Sequence, residues 1–156
     1  MEDNVNLNSI NNIKIINKDL NLWNTQENFV DYIITNPPYY KNLSNIANKS
    51  QEFLISRQEV KLNLKNIFDF SIKALKDRGK LFMIHKPERL DDLIKYTPDN
   101  LKIKKIKFVQ SKAFEKPVFI LLEYVKNAKD GLKFENPLII YENGKYSEEM
   151  KKINGL

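Results

Sequence analysis

Three short apolar runs in the first half of the chain predict β-strands. Residues 13–16, 30–35 and 80–84 are dominated by Ile, Leu, Phe, Tyr and Val, side chains that favour the extended backbone of a sheet. The second run stops before Pro37 and Pro38, because two consecutive prolines have no N–H to donate to a β ladder. We therefore expect these three runs to be strands of one sheet.

Apolar residues at helical spacing lie between the last two of these strands. Over residues 60–75 they recur every three or four positions, which predicts one buried helix face, and Gly79 predicts the helix stop. Residues 40–55 are polar and show no period, so we expect a loop between the second strand and this helix. Pro87 marks the first turn of a second helix, which runs to about Lys95.

The second half of the chain predicts antiparallel strands. Residues 103–109 and 118–125 are apolar runs joined by residues 110–117, a connection too short for a helical crossover. A further short strand is expected at residues 137–141, followed by a turn at Glu142-Asn143-Gly144. Helices that alternate with strands, followed by a hairpin, are typical of an α/β sheet with one antiparallel edge.

Composition narrows the chemistry of this chain. Its 156 residues, 42% of them hydrophobic, fit a single domain over residues 1–156. The chain has no cysteine and only one histidine, His85, so we expect no disulfide and no metal site. No apolar run is long enough to cross a membrane, and the polar N-terminus favours a cytoplasmic protein. The net charge of +6 favours a polyanionic partner, although an AT-rich coding sequence would produce the same excess of lysine.

The clearest chemistry lies in the four residues that follow the second predicted strand. Ligands of open α/β sheets bind beyond the carboxyl ends of strands, and this segment starts at such an end. The side-chain oxygen of Asn36 and the backbone carbonyl of Pro37 can accept both N–H groups of a planar amino group, while Pro38 stiffens the turn. Tyr39 offers a π-face on which a base or an amide can stack.

This arrangement fits the transfer of a methyl group to nitrogen. Two acceptors draw the nitrogen lone pair out of conjugation, and a cationic sulfonium donor needs no strong base beside it. The blander interpretation is a proline turn that ends a strand, with Tyr39 packed at its rim. The whole segment from Asp31 to Tyr39 resembles the signature of S-adenosylmethionine-dependent amino-methyltransferases that act on adenine N6, cytosine N4 or glutamine amides.

Three longer segments resemble the bacterial valine-tRNA adenine-N6-methyltransferase family. They are residues 56–62 (Ser-Arg-Gln-Glu-Val-Lys-Leu), 79–90 (Gly-Lys-Leu-Phe-Met-Ile-His-Lys-Pro-Glu-Arg-Leu) and 136–147 (Asn-Pro-Leu-Ile-Ile-Tyr-Glu-Asn-Gly-Lys-Tyr-Ser). The resemblance implies a Rossmann-like class I methyltransferase sheet, S-adenosyl-L-methionine as cofactor and tRNA as partner. It also implies that Asn36 to Tyr39 hold the target amino group.

The resemblance assigns roles to further residues. Asp19 and Leu20 would contact the adenine ring of the cofactor, with Asn36 facing it, although Asp19 could equally cap a turn. Tyr40 and Lys41 adjoin the motif and could contact nucleotides next to the target, unless Lys41 is an ordinary loop charge. The remaining candidates for tRNA phosphate contact are His85, Lys86 and Arg89. A solvated helix start with an ion pair to Glu88 would explain these three equally well.

One part of the family pattern is missing from this sequence. The four glycines lie at positions 79, 131, 144 and 155, so no glycine-rich loop precedes Asn36. The first two strands of the family's sheet, and the acidic residue that holds the ribose, are absent as well. We therefore expect the C-terminal two-thirds of a methyltransferase domain, with an exposed edge at residues 30–35. A missing N-terminal segment or a partner chain would complete the sheet, and the chain alone would bind the cofactor very weakly.

Three functions remain open at this point. Methyl transfer to adenine N6 of tRNA leads, because the basic charge and the continuation Tyr40-Lys41 favour a nucleic acid. The same motif could hold a glutamine amide, which would make the protein an N5-methyltransferase of a translation factor. A catalytically inactive, truncated remnant that binds RNA would explain the missing glycine loop directly.

Overall fold

The fold is described by a computed structural model for residues 5, 7–8, 11–38 and 64–156. The strands are β1 (Val30–Thr35), β2 (Leu75–His85), β3 (Leu101–Gln110), β4 (Pro117–Lys126), β5 (Lys133–Phe134), β6 (Leu138–Ile139), β7 (Tyr141–Glu142) and β8 (Lys145–Tyr146). The helices are α1, whose described part covers residues 64–74, α2 (Leu90–Lys95) and α3 (Glu148–Asn154). Short 3-10 turns cover Leu20–Leu22 and Pro87–Arg89.

The main sheet has the strand order β1-β2-β4-β3, and β5 and β6 both pair with the outer edge of β3. β1 and β2 run parallel, with Thr35 opposite Met83. β4 is antiparallel to β2 and to β3, so the predicted antiparallel hairpin is confirmed. β7 and β8 form a separate hairpin at the predicted turn, where Asn143 and Gly144 both have positive φ angles, 50° and 76°, as a type I′ turn requires.

One face of the main sheet carries the hydrophobic core. Alternate residues of β2 and β4 point to this face and are at most 2% exposed: Leu81, Met83, Ile120, Leu122 and Tyr124. α1 adds Leu64 and Phe68 to the same cluster, with the Phe68 ring centroid 5.4 Å from that of Tyr124, and α2 adds Leu93. The two helices that connect strands therefore pack on one side of the sheet.

The opposite face of the sheet is open near β1. Tyr32 is 65% exposed and Ile34 is 84% exposed, and Phe82 beside them is only half-buried. Among the residues that the structure describes, no strand pairs with the outer edge of β1. This part of the chain therefore presents the apolar edge that the sequence predicted.

The end of α1 differs from the prediction. We expected the helix to stop at Gly79, but it ends at residue 74. Donors from distant segments explain the early end. The ammonium group of Lys126 donates to the carbonyl oxygen of Ile72, and the backbone N–H groups of Asn28 and Phe29 donate to the carbonyl oxygens of Lys73 and Ala74. These carbonyls would otherwise need the next helical turn to supply their donors.

Gly79 lies instead inside β2, where backbone segments come close together. β2 starts at Leu75, before the predicted start at Lys80, and contains a bulge opposite β1. Arg78 takes the left-handed backbone conformation in this bulge, with φ of 62°. A Cβ atom at position 79 would lie 2.9 Å from the carbonyl oxygen of Lys76 and 3.2 Å from a backbone oxygen of β1. Gly79 therefore serves a close approach rather than a helix stop.

The predicted strand at residues 13–16 is wrong. Residues 13–19 have no regular secondary structure, and the side chains of Ile13 and Ile16 are exposed. A strand needs a partner for its N–H and C=O groups. Within the described ranges, no strand at the outer edge of β1 supplies one.

Candidate functional site

The segments that follow β1 and β2 meet at one end of the sheet. Because these strands are parallel and Thr35 lies opposite Met83, Asn36 leaves the sheet beside the last two residues of β2. Pro37 is buried, whereas Asn36 and Pro38 are exposed. The turn is thus anchored by one proline and remains accessible to a ligand through the residues on either side.

A cleft of about 320 Å³ joins this turn to two distant segments of the chain. Its walls are formed by Asp19, Leu20, Thr35, Asn36, Pro37, Pro38, Asn66 and Ile67. The fold therefore brings the predicted cofactor residues next to the predicted acceptor motif. The volume lies at the lower end of the range for small-molecule sites, about 300 to 1,000 Å³.

The Asp19 segment is held in place by a short turn and by α1. The N–H of Leu22 donates to the carbonyl oxygen of Asp19 at 3.1 Å, which forms the 3-10 turn. Trp23 follows, and its ring packs against that of Phe70 in α1, with centroids 5.3 Å apart. Asp19 itself is exposed and forms part of the wall of the cleft.

The chemistry of the cleft fits one end of S-adenosylmethionine. A carboxylate at Asp19 can accept a hydrogen bond from an adenine amino group, and Leu20 and Ile67 offer apolar surface to a flat ring. Asn36 adds a polar group on the side of the acceptor motif. Among the residues that form this cleft there is no glycine, so none provides the close backbone approach expected around the ribose and the amino-acid end. The described residues therefore fit the adenine side of the cofactor and leave its other end without a binding loop.

Two residues that line the cleft were not predicted from the sequence as site residues. Asn66 and Ile67 belong to α1, which the apolar periodicity marked as a structural helix. The only signal is the position of Asn66, a polar residue next to a core-facing turn of the helix. That signal is common in amphipathic helices and does not point to a site by itself.

His85 and Arg89 are buried rather than surface residues. They are 1% and 7% exposed, so little of either side chain can reach an RNA phosphate. Arg89 donates to a carboxylate oxygen of Asp92 at 3.2 Å, so the ion pair suggested for Glu88 is formed with Asp92 instead. This pair fixes the start of α2 next to the site, because a buried charge needs a close partner.

Burial also determines the charge state of His85. It lowers the pKa of the imidazole below its ordinary value. The backbone N–H of Lys86 donates to Nδ1 of His85 at 2.9 Å, which requires an unprotonated nitrogen there. His85 is therefore a neutral residue at the end of β2.

Lys86 is half-buried and is the least buried of these three residues. Its Nζ lies 4.2 Å from the ring centroid of Phe119 and 3.5 Å from the carbonyl oxygen of Val118, both at the start of β4. The side chain thus extends from the end of β2 towards the β3–β4 hairpin. Tyr39, Tyr40 and Lys41 lie outside the described residues.

A second cleft, of about 380 Å³, reaches Asn36 from the open face of the sheet. Its apolar part is formed by Ile34, Phe82, Ile84 and Leu121, and Lys105 and Lys107 lie on its β3 side. Asn36 therefore stands where the two faces of the sheet meet.

Two absences complete the description of the site. In residues 11–38 and 64–156, no three His, Cys, Asp or Glu residues lie close enough together to hold a metal ion. Likewise, none of the helices described is both long and apolar enough to cross a membrane.

Comparison with known proteins identifies the fold of the chain. No protein-family profile matches the chain, and no curated protein sequence matches it either. A crystal structure of a predicted O-methyltransferase from Agrobacterium tumefaciens is similar to it, with a TM-score of 0.64 and 18% identity over 83% of the chain. The chain spans 53% of that protein. The similarity shows a methyltransferase-like α/β fold.

A second similar structure is a proposed DNA modification methylase from Thermus thermophilus in complex with S-adenosyl-L-methionine. Its TM-score is 0.47, with 13% identity, and the alignment covers 85% of the chain and 55% of the methylase. In both comparisons the chain corresponds to about half of a longer protein.

Proposed function

We propose that this chain is the acceptor-binding part of an S-adenosylmethionine-dependent N-methyltransferase that acts on adenine N6 in tRNA. One observation carries the proposal: Asn36-Pro37-Pro38 leaves the carboxyl end of β1 in a cleft shared with Asp19. An amino-group motif and a candidate adenine contact thus line the same cavity. The methyltransferase-like fold supports this assignment of the cavity.

The residues of the turn would orient the acceptor nitrogen. The side-chain oxygen of Asn36 and the carbonyl oxygen of Pro37 accept the two N–H groups of the amino group, and the fixed φ of proline holds the second acceptor rigidly. When bound, S-adenosyl-L-methionine supplies an electrophilic methyl group. Asp19 and Leu20 would hold the adenine side of the cofactor next to the turn.

The choice of tRNA rests on charge and on resemblance. The net charge of +6 favours a phosphodiester polymer, and the segments at residues 56–62, 79–90 and 136–147 resemble the valine-tRNA methyltransferases. Of His85, Lys86 and Arg89, only Lys86 keeps a role in phosphate contact in this proposal. His85 and Arg89 would act as buried supports for the end of β2 and the start of α2.

The proposal is tested by methyl transfer under single-turnover conditions. The chain is incubated in excess over tRNA with labelled S-adenosylmethionine, and N6-methyladenosine is measured in the digested tRNA. We expect Asn36→Ala to lower the rate by at least about 100-fold, because it removes one of two orienting hydrogen bonds. Asn154→Ala, which changes an exposed asparagine at the end of α3, is the matched control and should leave the rate unchanged.

The alternatives predict different outcomes of the same assay. Label found only on a translation release factor, and never on tRNA, would contradict the choice of acceptor and favour the glutamine-amide reaction. Binding of tRNA without any transfer would favour the inactive RNA-binding protein. The open face near β1, where Ile34 is 84% exposed, is the observation that favours the inactive RNA-binding protein as a second candidate.

A further inference from the structure

The loop between β3 and β4 presents an aromatic ring that the fold does not use. Phe114 is fully exposed, at 104% of its reference area. Its φ of 67° places a bulky side chain in the left-handed region, where glycine or asparagine is the ordinary residue. Neither burial nor backbone preference therefore explains a phenylalanine at this position.

The loop around Phe114 carries two lysines and one glutamate, and two hydrogen bonds hold its turn. Residues 111–116, here named the arm loop, contain Lys112 and Lys116 on either side of the ring, and both lysines are exposed. The Glu115 N–H donates to the carbonyl oxygen of Lys112 at 3.2 Å, and the side-chain amide of Gln110 donates to the carbonyl oxygen of Glu115. The loop is thus held in one turn, which fixes the direction in which the ring projects.

The arm loop stands at the same end of the sheet as the candidate site. Asn36 is level with Ile84, which pairs with Leu121, and β4 continues for four more residues to Pro117. The arm loop therefore lies about 14 Å beyond the level of Asn36, and about 10 Å to its side across two strand spacings. Lys86 lies between the two, with its Nζ against the ring of Phe119.

A second aromatic group adjoins the arm loop. Tyr141 and Tyr146 stack on each other in the β7–β8 hairpin, with centroids 5.3 Å apart and ring planes 13° from parallel, and both are partly exposed. The N–H of Tyr141 donates to the carbonyl oxygen of Ser111 at 2.8 Å, so this hairpin is fastened to the arm loop. The tyrosine pair therefore lies beside the arm loop.

We propose that the arm loop is an RNA-binding element, in which Phe114 stacks on an unpaired base a few nucleotides from the target nucleotide and Lys112 and Lys116 contact the adjoining phosphates. Sequence-tolerant binding of single strands uses this combination of exposed rings and basic side chains. A protein partner would favour a larger apolar patch, whereas here charged residues surround one ring. The inference deepens the proposed function and rests on it for the identity of the target nucleotide.

The test measures the affinity of the chain for RNA without cofactor. A fluorescein-labelled RNA stem-loop with adenines in its loop, and a duplex of the same composition, are titrated by fluorescence anisotropy. We expect Phe114→Ala to weaken binding to the stem-loop by about 5- to 100-fold and binding to the duplex much less, because only unpaired bases offer a free face. Phe114→Trp should restore the affinity. Phe134→Ala, which removes an exposed ring from β5, is the matched control and should have no effect.

Two further variants separate charge and folding from stacking. Lys112→Ala with Lys116→Ala should make the negative slope of log affinity against log salt concentration shallower by about 1.4, because two phosphate contacts to a single strand are lost, whereas Phe114→Ala should leave the slope unchanged. Phe114→Gly removes the ring and the unfavourable φ together. It should melt at a temperature no lower than the original protein and still lose the same affinity, which excludes misfolding as the cause.

Several results would overturn the inference. An affinity of Phe114→Ala within twofold of the original protein would do so, as would an equal loss in Phe134→Ala. Binding to phosphatidylserine vesicles that Phe114→Ala abolishes, with RNA affinity unchanged, would identify a membrane contact instead. A chain that binds RNA through Phe114 but transfers no methyl group would contradict the proposed function and leave this inference standing.

Discussion

The two faces of the main sheet differ in what the described chain supplies to cover them. On one face, α1 and α2 exclude water from Leu81, Leu122 and Tyr124 almost completely. On the other, Tyr32 and Ile34 remain largely exposed beside a cleft of about 380 Å³. The difference shows that the described residues build their core on one side of the sheet only. Asn36 lies at the boundary, within reach of both sides.

The packed face stabilises the fold, whereas the open face contributes little to stability. The packed face contains the contacts that hold the strands in register, and these contacts position the candidate acceptor turn at the end of β1. The open face has apolar surface of the kind that a methyltransferase-like sheet normally covers on both sides. In our proposal, the weak cofactor binding expected from the sequence has its cause in the cleft beside Asp19, where the described residues provide no loop for the ribose.

The strongest test of the comparison removes one large side chain from each face. Phe68→Ala should lower the free energy of unfolding by about 3 to 5 kcal/mol, because the ring is fully buried against Tyr124 and a cavity remains. Ile34→Ala on the open face should change it by less than about 0.5 kcal/mol. Urea unfolding followed by circular dichroism measures both. A large loss in Ile34→Ala would mean that this face is covered in solution.

A smaller effect on stability is expected at the bulge of β2. Gly79→Ala should cost about 1 to 3 kcal/mol, because its Cβ would lie 2.9 Å from the carbonyl oxygen of Lys76 and force the β2 bulge to move. The same urea titration detects it. An unchanged stability would show that the bulge adjusts freely and that Gly79 is not needed for the close approach.

The smallest effect concerns pH, at the end of β2. Burial lowers the pKa of His85, so the unfolded chain binds a proton at a higher pH than the folded chain does. The stability should therefore be fully present above about pH 6.5 and should fall as the pH is lowered below that value. Carboxylates add a separate loss at lower pH, so His85→Gln is the control and should show less decline just below pH 6.5. Because His85 is the only histidine, its imidazole NMR signals report the titration directly. A midpoint at or above 6.5 would contradict the burial argument.

The site was only partly predictable from the sequence. Asn36, Pro37 and Pro38 were singled out because the pattern is local: a strand, an acceptor and two rigid residues in a row. Their role in binding an amino group stays a prediction. The burial of His85 and Arg89 was missed, since nothing in the order of residues shows that the turn Pro87–Arg89 packs against β4. Phe114 was also passed over, because a lone phenylalanine in a short connection looks like any other turn residue until its exposure and its φ are known.

The sequence by itself determined the elements whose causes are local. Prolines ended β1, a short connection forced β3 and β4 to pair antiparallel, and Asn143-Gly144 made a tight turn, because steric limits act within a few residues. Only the tertiary structure decided where α1 ends, because the donors that replace its next turn come from Lys126, Asn28 and Phe29, all far away in the chain. The tertiary structure alone also placed Asp19 beside Asn36, since a cleft between separate segments depends on packing that no single segment encodes.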